Sequence, residues 1–464
     1  MHIFSQYHLP RLGSFILGTL MKKRGWDVKI YMEEKEKIDF EAIKQADIVG
    51  ISTITSTAPR AYALADRIRE MGKTVIMGGP HVSYLSEEAL EHCDFVVRGE
   101  GETALMKFID AWETNKNYSD VPNLSYKKET AVVHNTINCL KEDLSKMPYP
   151  DFSLSKGNFE KVWGYTIIPV QTSRGCPFDC SFCSVTGMFG KKYRFRPTQH
   201  IIEELKQYNH KKNFIFFYDD NFTADRKRAK DLLKAMIKEN FQFKWSTQVR
   251  VDIVKDLELV HLMKQAGCHT LYIGFESVNP DTLKAIKKNQ TVLEIENAIK
   301  ILQQNHINIH GMFVFGFDED DKKTVRASVK FAKRNRLTSV QFLILTPLPG
   351  SELYENLRAQ NRIKFNDWAL YDAHHVVFEP KRFSFIGLQM AQVWGHKKFY
   401  SIKESYKRFS EFKFEDVLIA GYARKLNRGW LKTNRTYLKI MDLLTPRKNE
   451  NITIQYNQKI LLDS

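Results

Sequence analysis

Short apolar runs alternate along the chain with stretches in which apolar residues recur at helical spacing. Over residues 1–135 the runs predict strands and the stretches between them predict helices. The predicted strands are 2–4, 28–31, 48–52, 75–77 and 95–97, and the predicted helices are 14–24, 58–71, 87–92 and 103–112. Strand–helix repetition of this kind is typical of a doubly wound, Rossmann-like parallel α/β sheet.

The alternation resumes after a polar connection. The predicted strands there are 167–171, 214–218, 245–249, 270–275, 311–315 and 340–346, and the predicted helices are 201–208, 224–239, 257–265, 291–304 and 323–335. Six such repeats favour a second parallel unit, either open or barrel-like. We predict an α/β domain at 1–135, a linker at 136–165, a second α/β domain at 166–360 and a mainly helical region at 361–464.

Composition narrows the class of protein. The chain has 464 residues, 43% of them hydrophobic and 27% charged, which is typical of a soluble globular protein and excludes general disorder. No run approaches the ~20 consecutive apolar residues of a membrane-spanning helix. No signal peptide is recognisable after Met1, so a cytoplasmic protein is expected. The net charge of +16 implies an anionic partner, but no nucleic-acid-binding motif accompanies it.

Three of the six cysteines, Cys176, Cys180 and Cys183, stand within eight residues, directly after a predicted strand. In a reducing compartment such crowding indicates metal or redox chemistry. Three thiolates can hold three irons of a [4Fe–4S] cluster and leave the fourth iron open. A zinc site would need a fourth ligand, such as His200 or a distant cysteine. The other cysteines are isolated and predict no further cluster: Cys93, Cys139 and Cys268.

The C-x3-C-x2-C spacing, with Phe182 before the third cysteine and a strand before the first, resembles the radical S-adenosylmethionine (SAM) enzymes. The resemblance covers roughly residues 165–355 and implies a partial (β/α)6 TIM barrel. It also implies a [4Fe–4S] cluster held by the three cysteines, whose open iron binds SAM. Reduction then cleaves SAM to a 5′-deoxyadenosyl radical that removes a hydrogen atom from an unactivated carbon. The electron is expected from a reductant such as flavodoxin or ferredoxin.

Polar residues follow several of the predicted barrel strands. By the same resemblance these residues, and the aromatic one inside the motif, are expected to bind SAM: Phe182, Asp219, Asp220, Gln248, Arg250, Glu276 and Ser277. The acidic ones are also explained as caps or first-turn carboxylates of the following helices. Lys287 and Lys288 are predicted at an exposed helix end. No residue is assigned to catalysis itself.

The first unit resembles the cobalamin (B12)-binding domain that precedes the radical domain in one large subfamily. The resemblance lies in Leu12-Gly13 and in small or polar residues after the predicted strands, where a corrin can approach the backbone. The residues expected to bind cobalamin are Ser52, Thr53, Thr55, Gly78, Gly79, Pro80, Gly99 and Glu100. An Asp-x-His-x-x-Gly segment is missing, so cobalamin is expected base-off, without a protein histidine on its lower face. His81 is expected only to hydrogen-bond. A scaffold without cofactor is the alternative.

The end of the chain is basic. Residues 397–464 hold 15 Lys+Arg and 7 Asp+Glu, and no acid stands between Arg424 and Lys439. Tyr422, Leu426, Trp430 and Leu431 interleave with these cations and predict a basic amphipathic helix. Such a helix either packs on the barrel with a solvated basic face, or contacts an anionic membrane surface or an anionic substrate.

Taken together, these residues favour a cobalamin-dependent radical SAM enzyme that methylates an unactivated carbon of a small-molecule or lipid-like substrate. One alternative within the same subfamily is a rearrangement, cyclisation or C–C bond-forming enzyme whose first domain lacks cobalamin. An alternative of another class is an iron–sulfur electron carrier or sensor. That class is disfavoured because electron transfer needs neither an open iron nor polar residues at the strand ends.

Overall fold

The computed structural model describes residues 10–33, 35–136, 141–157, 159, 161–162 and 164–445. The first unit contains the strands β1 (Ile48–Ser52), β2 (Thr74–Gly78), β3 (Phe95–Val97), β4 (Leu124–Lys128) and β5 (Ala131–His134). Its helices are α1 (Leu12–Lys23), α2 (Phe40–Lys44), α3 (Ala58–Glu70), α4 (Pro80–Tyr84), α5 (Ser86–Ala89) and α6 (Glu102–Glu113). The predicted strand at 2–4 and Cys139 lie outside the described residues.

The first sheet has the order β1-β2-β3-β4-β5, with β1, β2 and β3 parallel and the β4–β5 hairpin antiparallel. This arrangement confirms the α/β class. The hairpin lies near the end of the predicted first domain, in a stretch where the sequence pattern predicts no strand. Its outer ends are solvent-exposed, so their residues lack the apolar pattern of a buried strand. The predicted strand at 28–31 is wrong, because this segment joins no sheet among the described residues and the Ile30 amide donates to the Leu154 carbonyl at 2.8 Å.

The second unit contains β6 (Lys161–Val162), β7 (Tyr165–Val170), β8 (Ser173–Arg174), β9 (Arg194–Phe195), β10 (Asn213–Phe217), β11 (Trp245–Val249), β12 (Cys268–Glu276), β13 (Asn308–Phe315) and β14 (Ser339–Ile344). Its helices are α7 (Val185–Phe189), α8 (Thr198–Leu205), α9 (Arg226–Lys238), α10 (Leu257–Gln265), α11 (Pro280–Ala285), α12 (Val292–Gln304), α13 (Lys322–Arg334) and α14 (Glu352–Ala359). The sheet order is β14-β13-β12-β11-β10-β7-β6. The six strands from β7 to β14 in this sheet are parallel, which confirms the partial barrel.

Successive side chains along these strands point alternately outwards, into the core beneath the helices, and inwards, towards the lumen of the barrel. Side chains that face the surrounding helices, such as Ile215, Phe217 and Phe313, are fully buried in one continuous apolar cluster. Cys268 is buried in the same cluster. The alternate positions, including Phe216, line the inner face of the curved sheet.

The C-terminal region contains α15 (Phe385–Phe399), α16 (Ile402–Ser410), α17 (Phe414–Thr433) and α18 (Arg435–Leu443). Helix α17 packs on the barrel core through Ala420 and Ala423. The segment before α15 crosses back to the first unit, where the indole of Trp368 donates to Glu88 at 2.9 Å. Within the described part of the chain, no helix is both long and apolar enough to cross a membrane.

Helix α15 covers the open edge of the barrel sheet at β14. Tyr400 accepts from the amide of Val340 at 2.8 Å and donates to its carbonyl at 2.7 Å. The Nε2 atom of His396 accepts from the Phe342 amide at 3.1 Å, and Gln392 donates to the Phe342 carbonyl at 3.0 Å. The three side chains are spaced by four residues and lie on one helix face, so they satisfy backbone groups that an edge strand otherwise exposes.

Candidate functional site

The three clustered cysteines lie on one loop, which we call the cysteine loop and define as residues 175–193. Strands β8 and β9 close it at its base, with Arg174 paired to Arg194 across the antiparallel ribbon. Cys176, Cys180 and Cys183 are free and half-buried. The loop therefore presents three thiols at the carboxyl end of β7, where parallel barrels carry their chemistry.

Burial disfavours the thiolate form of two of the three cysteines. Burial raises the pKa of Cys176, and it raises the pKa of Cys183 to about 12. The guanidinium of Arg250 donates towards the sulfur of Cys180 at 3.9 Å and adds positive charge beside the loop. Among the described residues, no three His, Cys, Asp or Glu side chains lie close enough together to bind one metal ion in common. The donor set fits an iron–sulfur cluster, in which each thiolate binds a different iron and metal displaces the thiol proton.

Asp219 fixes the entrance to the cysteine loop. Its carboxylate is fully buried and accepts hydrogen bonds from the amides of Thr172, at 2.7 Å, and Ser173, at 2.9 Å. The hydroxyl of Thr172 donates to its second oxygen. This geometry gives Asp219 a positioning role, and its predicted contact with SAM stays a prediction.

Asp220 lies beside the thiols. It is half-buried, and its negative charge contributes to the raised pKa values of Cys176 and Cys183. Burial, with a smaller contribution from Asp219, raises the pKa of Asp220 to about 7. A carboxyl group that changes its charge near neutral pH therefore borders the cysteine loop.

Glu276 occupies a bulge at the end of β12. Its φ is +62°, and the strand pairing shifts register between Gly274 and Glu276. A Cβ at Gly274 would overlap the Glu276 carboxylate, so the glycine leaves room for that side chain to fold back. Lys288 donates to Glu276 at 2.7 Å, and both side chains are buried.

The prediction that Lys288 is exposed is wrong, because its ammonium pairs with the buried Glu276 inside the protein. Lys287 is exposed as predicted and pairs with Glu352 at 2.8 Å. The guanidinium of Arg250 donates to the Lys288 carbonyl, so it joins this pair to the cysteine loop. Sequence reasoning missed Lys288, since a lysine near a helix end carries no signal for burial.

The remaining predicted SAM contacts also lie near the carboxyl ends of the strands. The Gln248 side chain is half-buried on β11, and its carbonyl accepts from the Phe222 amide at 3.0 Å. The hydroxyl of the buried Ser277 accepts from the Asn279 amide at 3.1 Å. The ring of Phe182 lies 5.9 Å from that of Phe317. The structure brings these residues to one edge, and their contact with SAM stays a prediction.

The turns at the carboxyl edge of the first sheet form a second candidate site, which we call the cradle. Gly79 has φ +103° and ψ 173°, and a Cβ there would overlap the carbonyl oxygen of Thr53. Thr53 donates its amide to the Gly78 carbonyl at 3.0 Å, and its hydroxyl lies 2.9 Å from that of Thr57. A Cβ at Gly99 would meet no atom within 4 Å. The tight turn beside an open glycine fits a flat ligand that approaches the backbone.

Other predicted cobalamin contacts have distinct surroundings. Ser52 and Pro80 are exposed, whereas Thr55 is buried. Glu100 pairs with Arg174 and Arg194 at the base of the cysteine loop, and its predicted contact with cobalamin stays a prediction. No local pattern marks these arginines as partners, because they lie more than 70 residues further along the chain.

His81 is buried at the same edge. Its Nε2 atom lies 3.4 Å from a Glu88 oxygen, and its ring packs 5.1 Å from that of Trp368. This environment agrees with the expectation that His81 hydrogen-bonds within the protein. It also places the Trp368 segment against the first unit.

The cysteine loop faces the cradle at the carboxyl edge of the first sheet. The hydroxyl of Tyr84, which follows β2, donates to the Ser184 carbonyl of the cysteine loop at 3.3 Å. A Cβ at Gly187 or Gly350 would overlap the Tyr84 side chain, so both glycines admit it between the units. Burial raises the pKa of Tyr84 to about 12, with a further contribution from Cys183. The carboxyl edges of the two sheets thus meet at the cysteine loop.

Comparison with known proteins agrees with this geometry. The family model of the Radical SAM superfamily matches residues 170–332, and that of the B12 binding domain matches residues 5–109. The uncharacterized methyltransferase PH0819 of Pyrococcus horikoshii is 33% identical over 81% of this chain and 84% of its own. The bacteriochlorophyllide d C-12(1)-methyltransferase of Chlorobaculum tepidum is 32% identical over 72% of this chain and 71% of its own.

The fold also resembles a solved structure. The radical S-adenosylmethionine methyltransferase TsrM from Kitasatospora setae, with cobalamin and a [4Fe-4S] cluster bound, aligns with a TM-score of 0.64 at 17% identity. The alignment covers 76% of this chain and 72% of that chain.

Proposed function

The chain belongs to the radical SAM superfamily and carries a B12-binding domain, and from this premise we propose that it methylates an unactivated carbon atom of a small-molecule substrate. Its cofactors are a [4Fe–4S] cluster, SAM and cobalamin. A reductant supplies electrons to the cluster. The observation that carries methylation is the meeting of the two carboxyl edges at the cysteine loop, because a methyl carrier and a radical source must reach the same substrate.

When bound, the cluster with SAM supplies a carbon-centred radical and cobalamin supplies a transferable methyl group. The residues of this chain bind and orient these groups. Cys176, Cys180 and Cys183 are the proposed cluster ligands, and Asp219 holds the backbone at the entrance to their loop. Arg250 places a positive charge beside the thiols. The buried pair of Glu276 and Lys288 presents fixed polar groups at the neighbouring strand end.

The lumen below this edge favours an apolar, ring-containing substrate. The ring of Phe216 lies 6.1 Å from that of Tyr218 and 5.8 Å from that of Tyr272. The ring of Tyr272 lies 4.8 Å from that of His310. Aromatic walls recognise flat apolar groups by edge and face contacts. The Chlorobaculum tepidum relative is named for a bacteriochlorophyllide substrate, which supports a large ring system for this chain.

Labelled SAM tests this function. The anaerobic protein, reconstituted with iron, sulfide and hydroxocobalamin, is incubated with methyl-labelled SAM, a reductant and an extract of the host. We expect 5′-deoxyadenosine together with a labelled, carbon-methylated product. The triple substitution of Cys176, Cys180 and Cys183 by alanine should abolish both products. Cys268→Ala, which removes a buried thiol remote from the cysteine loop, should retain them.

The same experiment separates methylation from rearrangement or cyclisation. Formation of 5′-deoxyadenosine without transfer of label, in protein that retains cobalamin, would contradict methylation and favour the alternative. If neither product forms although the cluster is reduced, the chain acts as an electron carrier or sensor.

We propose in addition that the C-terminal helices dock reversibly on an anionic membrane. Six large apolar side chains of α16, α17 and the turn between them are exposed: Ile402, Tyr406, Phe409, Phe412, Phe414 and Leu418. We call these residues the apolar patch. The same exposed side of α17 continues into Lys425, Arg428 and Lys432. An apolar surface followed by cations matches an anionic bilayer in both polarity and charge.

The docking surface differs in part from the one that the sequence predicts. Trp430 is half-buried and packs 5.2 Å from His375, and Leu426 is half-buried as well. These side chains pack α17 on the barrel. The apolar patch is therefore the surface that inserts into the bilayer. Docking would serve a lipid-like substrate drawn from the membrane. Sedimentation with anionic and with neutral vesicles tests this proposal.

A further inference from the structure

Four charged side chains join the two cofactor-binding units: Glu100, Glu102, Arg174 and Arg194. We call this set the Glu100 network. Arg174 donates to Glu100 at 2.8 Å and to Glu102 at 2.5 Å. Arg194 donates to both oxygens of Glu100, at 3.0 Å to one of them. The side chains of Glu100 and Arg174 are each only 6% exposed.

The network balances two carboxylates against two guanidinium groups and satisfies most of their hydrogen bonds, whereas the Nε atom of Arg194 is buried without a partner among the described residues. The Nε atom of Arg174 donates to Gln171 at 2.9 Å, and Arg194 donates to the Glu142 carbonyl at 3.0 Å. Charge-assisted, forked bonds of this kind fix direction as well as distance. Removing one partner from a buried pair leaves an uncompensated charge and is strongly destabilising to that geometry.

The network lies at the base of the cysteine loop, between the two units. Arg174 and Arg194 face each other on the ribbon that closes the cysteine loop, so Glu100 contacts both strands of that ribbon. Arg174 lies two residues before Cys176. Glu100 follows Gly99, which stands at the open part of the cobalamin cradle. One carboxylate therefore connects the loop of one cofactor to the loop of the other.

We infer that Glu100 is a positioning residue, which sets the separation and orientation of the iron–sulfur cluster relative to cobalamin. The inference rests on the proposed function, since it concerns how the two groups are aligned for one reaction. The positioning role of Glu100 does not depend on a contact with either group. It acts through the two arginines, which hold both ends of the cysteine loop against the first unit.

The test measures alignment without requiring turnover. The protein is loaded with the cluster and with cobalamin, both are reduced to paramagnetic forms in the absence of SAM, and the dipolar coupling between them is recorded by pulsed electron paramagnetic resonance. The parent should give one narrow distance. Glu100→Gln, which keeps the shape but removes the charge, should retain iron and cobalamin and lose that single distance.

Glu113→Gln is the matched control. It removes a carboxylate that pairs with Arg24 on the surface of the first unit, away from the cysteine loop, and should keep the parental distance. Arg194→Gln releases the network from the other side and should reproduce the broadened distance, so the test stands even if Glu100→Gln does not fold. A merely structural role would lower the unfolding temperature and leave the distance unchanged.

A narrow parental distance in both Glu100→Gln and Arg194→Gln overturns the inference, as does a broad distance in the parent. Neither result bears on methylation, which is measured separately by transfer of label. Conversely, a protein that binds both groups and transfers no methyl still tests the role of Glu100.

Discussion

At the scale of single residues, Gly79 is a position where the backbone leaves no room for a side chain. Its φ of +103° with ψ near 180° is a region that only glycine occupies readily, and a Cβ there would overlap the Thr53 carbonyl. The Thr53 turn and the Gly78–Gly79 turn are the closest approach between the β1 and β2 ends of the cradle. Any side chain at position 79 must displace the neighbouring turn.

We therefore expect Gly79→Ala to abolish cobalamin binding while leaving the iron content unchanged. Gly72→Ala is the matched control, because Gly72 also has a positive φ, of +75°, but a Cβ there meets open space at the opposite end of β2. After incubation with hydroxocobalamin and desalting, cobalt should remain in the parent and in Gly72→Ala only. Parental cobalt content in Gly79→Ala would refute the placement of the cradle.

At the level of residues, the sequence predicts a site well when the residues that form it lie close together in one motif. The three cysteines share one short segment, so their motif needs no fold to be recognised. Lys288 and the arginines of the Glu100 network were missed, because each pairs with a residue that only the folded chain brings near. The predicted contact of Glu100 with cobalamin stays a prediction, and its pairing with arginine was not foreseen, since a carboxylate after a strand looks the same whether it faces a ligand or an arginine.

At the scale of elements, the capping of β14 by α15 links stability to pH. The Nε2 atom of His396 must be unprotonated to accept from the Phe342 amide. Burial lowers the pKa of His396 to about 3, with further contributions from His374 and His310. An unfolded histidine titrates near 6.5. Between these values the unfolded chain binds more protons, so stability is lost as pH falls below about 6.5.

We expect His396→Gln to weaken this acid sensitivity. The introduced amide oxygen can still accept from the Phe342 backbone, but it cannot be protonated in this range. Each unit of pH below about 6.5 costs the parent about 1 kcal/mol from this site. Urea unfolding at pH 7.5 and 5.5 measures the difference. His261→Gln, at an exposed position on α10, should leave the parental slope, and an equal slope in His396→Gln would contradict the assignment.

Long elements were predictable because each carries a full hydrophobic period. The predicted strands 48–52, 95–97 and 245–249 coincide with β1, β3 and β11. The ribbon of β8 and β9 was missed because strands of two residues have no period to read. That ribbon closes the cysteine loop. The sequence therefore predicts the three cysteine ligands but not the two strands that hold their loop in place.

At the scale of the whole molecule, the sequence predicts two α/β units, their order along the chain and their cofactors. It does not predict how the two units are oriented relative to each other. Orientation depends on contacts such as Tyr84 with the cysteine loop and Trp368 with Glu88, which join segments 100 and 280 residues apart. No local pattern encodes such pairs. The domain boundaries at 135, 165 and 360 stay predictions.

The apolar patch leads to a prediction for the intact protein. Phe412 is 81% exposed and Phe414 lies beside it, with 6.3 Å between ring centroids. Burial of such side chains in a bilayer is worth about 1.5–3 kcal/mol each when complete. Even partial insertion of both therefore changes membrane affinity by about tenfold or more. The double substitution of Phe412 and Phe414 by serine should reduce sedimentation with anionic vesicles accordingly.

Leu293→Ser is the matched control, because Leu293 is 75% exposed on α12, outside the apolar patch, and should be dispensable for binding. Changing Lys425, Arg428 and Lys432 to glutamine should weaken binding to anionic vesicles, and salt should weaken the parent in the same way, because the ions screen its contact with the headgroups. Equal sedimentation with neutral and anionic vesicles would remove the electrostatic part of the proposal. Failure of the parent to bind either kind would leave α17 as a helix packed on the barrel with a solvated basic face, and the substrate would then have to reach the lumen from solution.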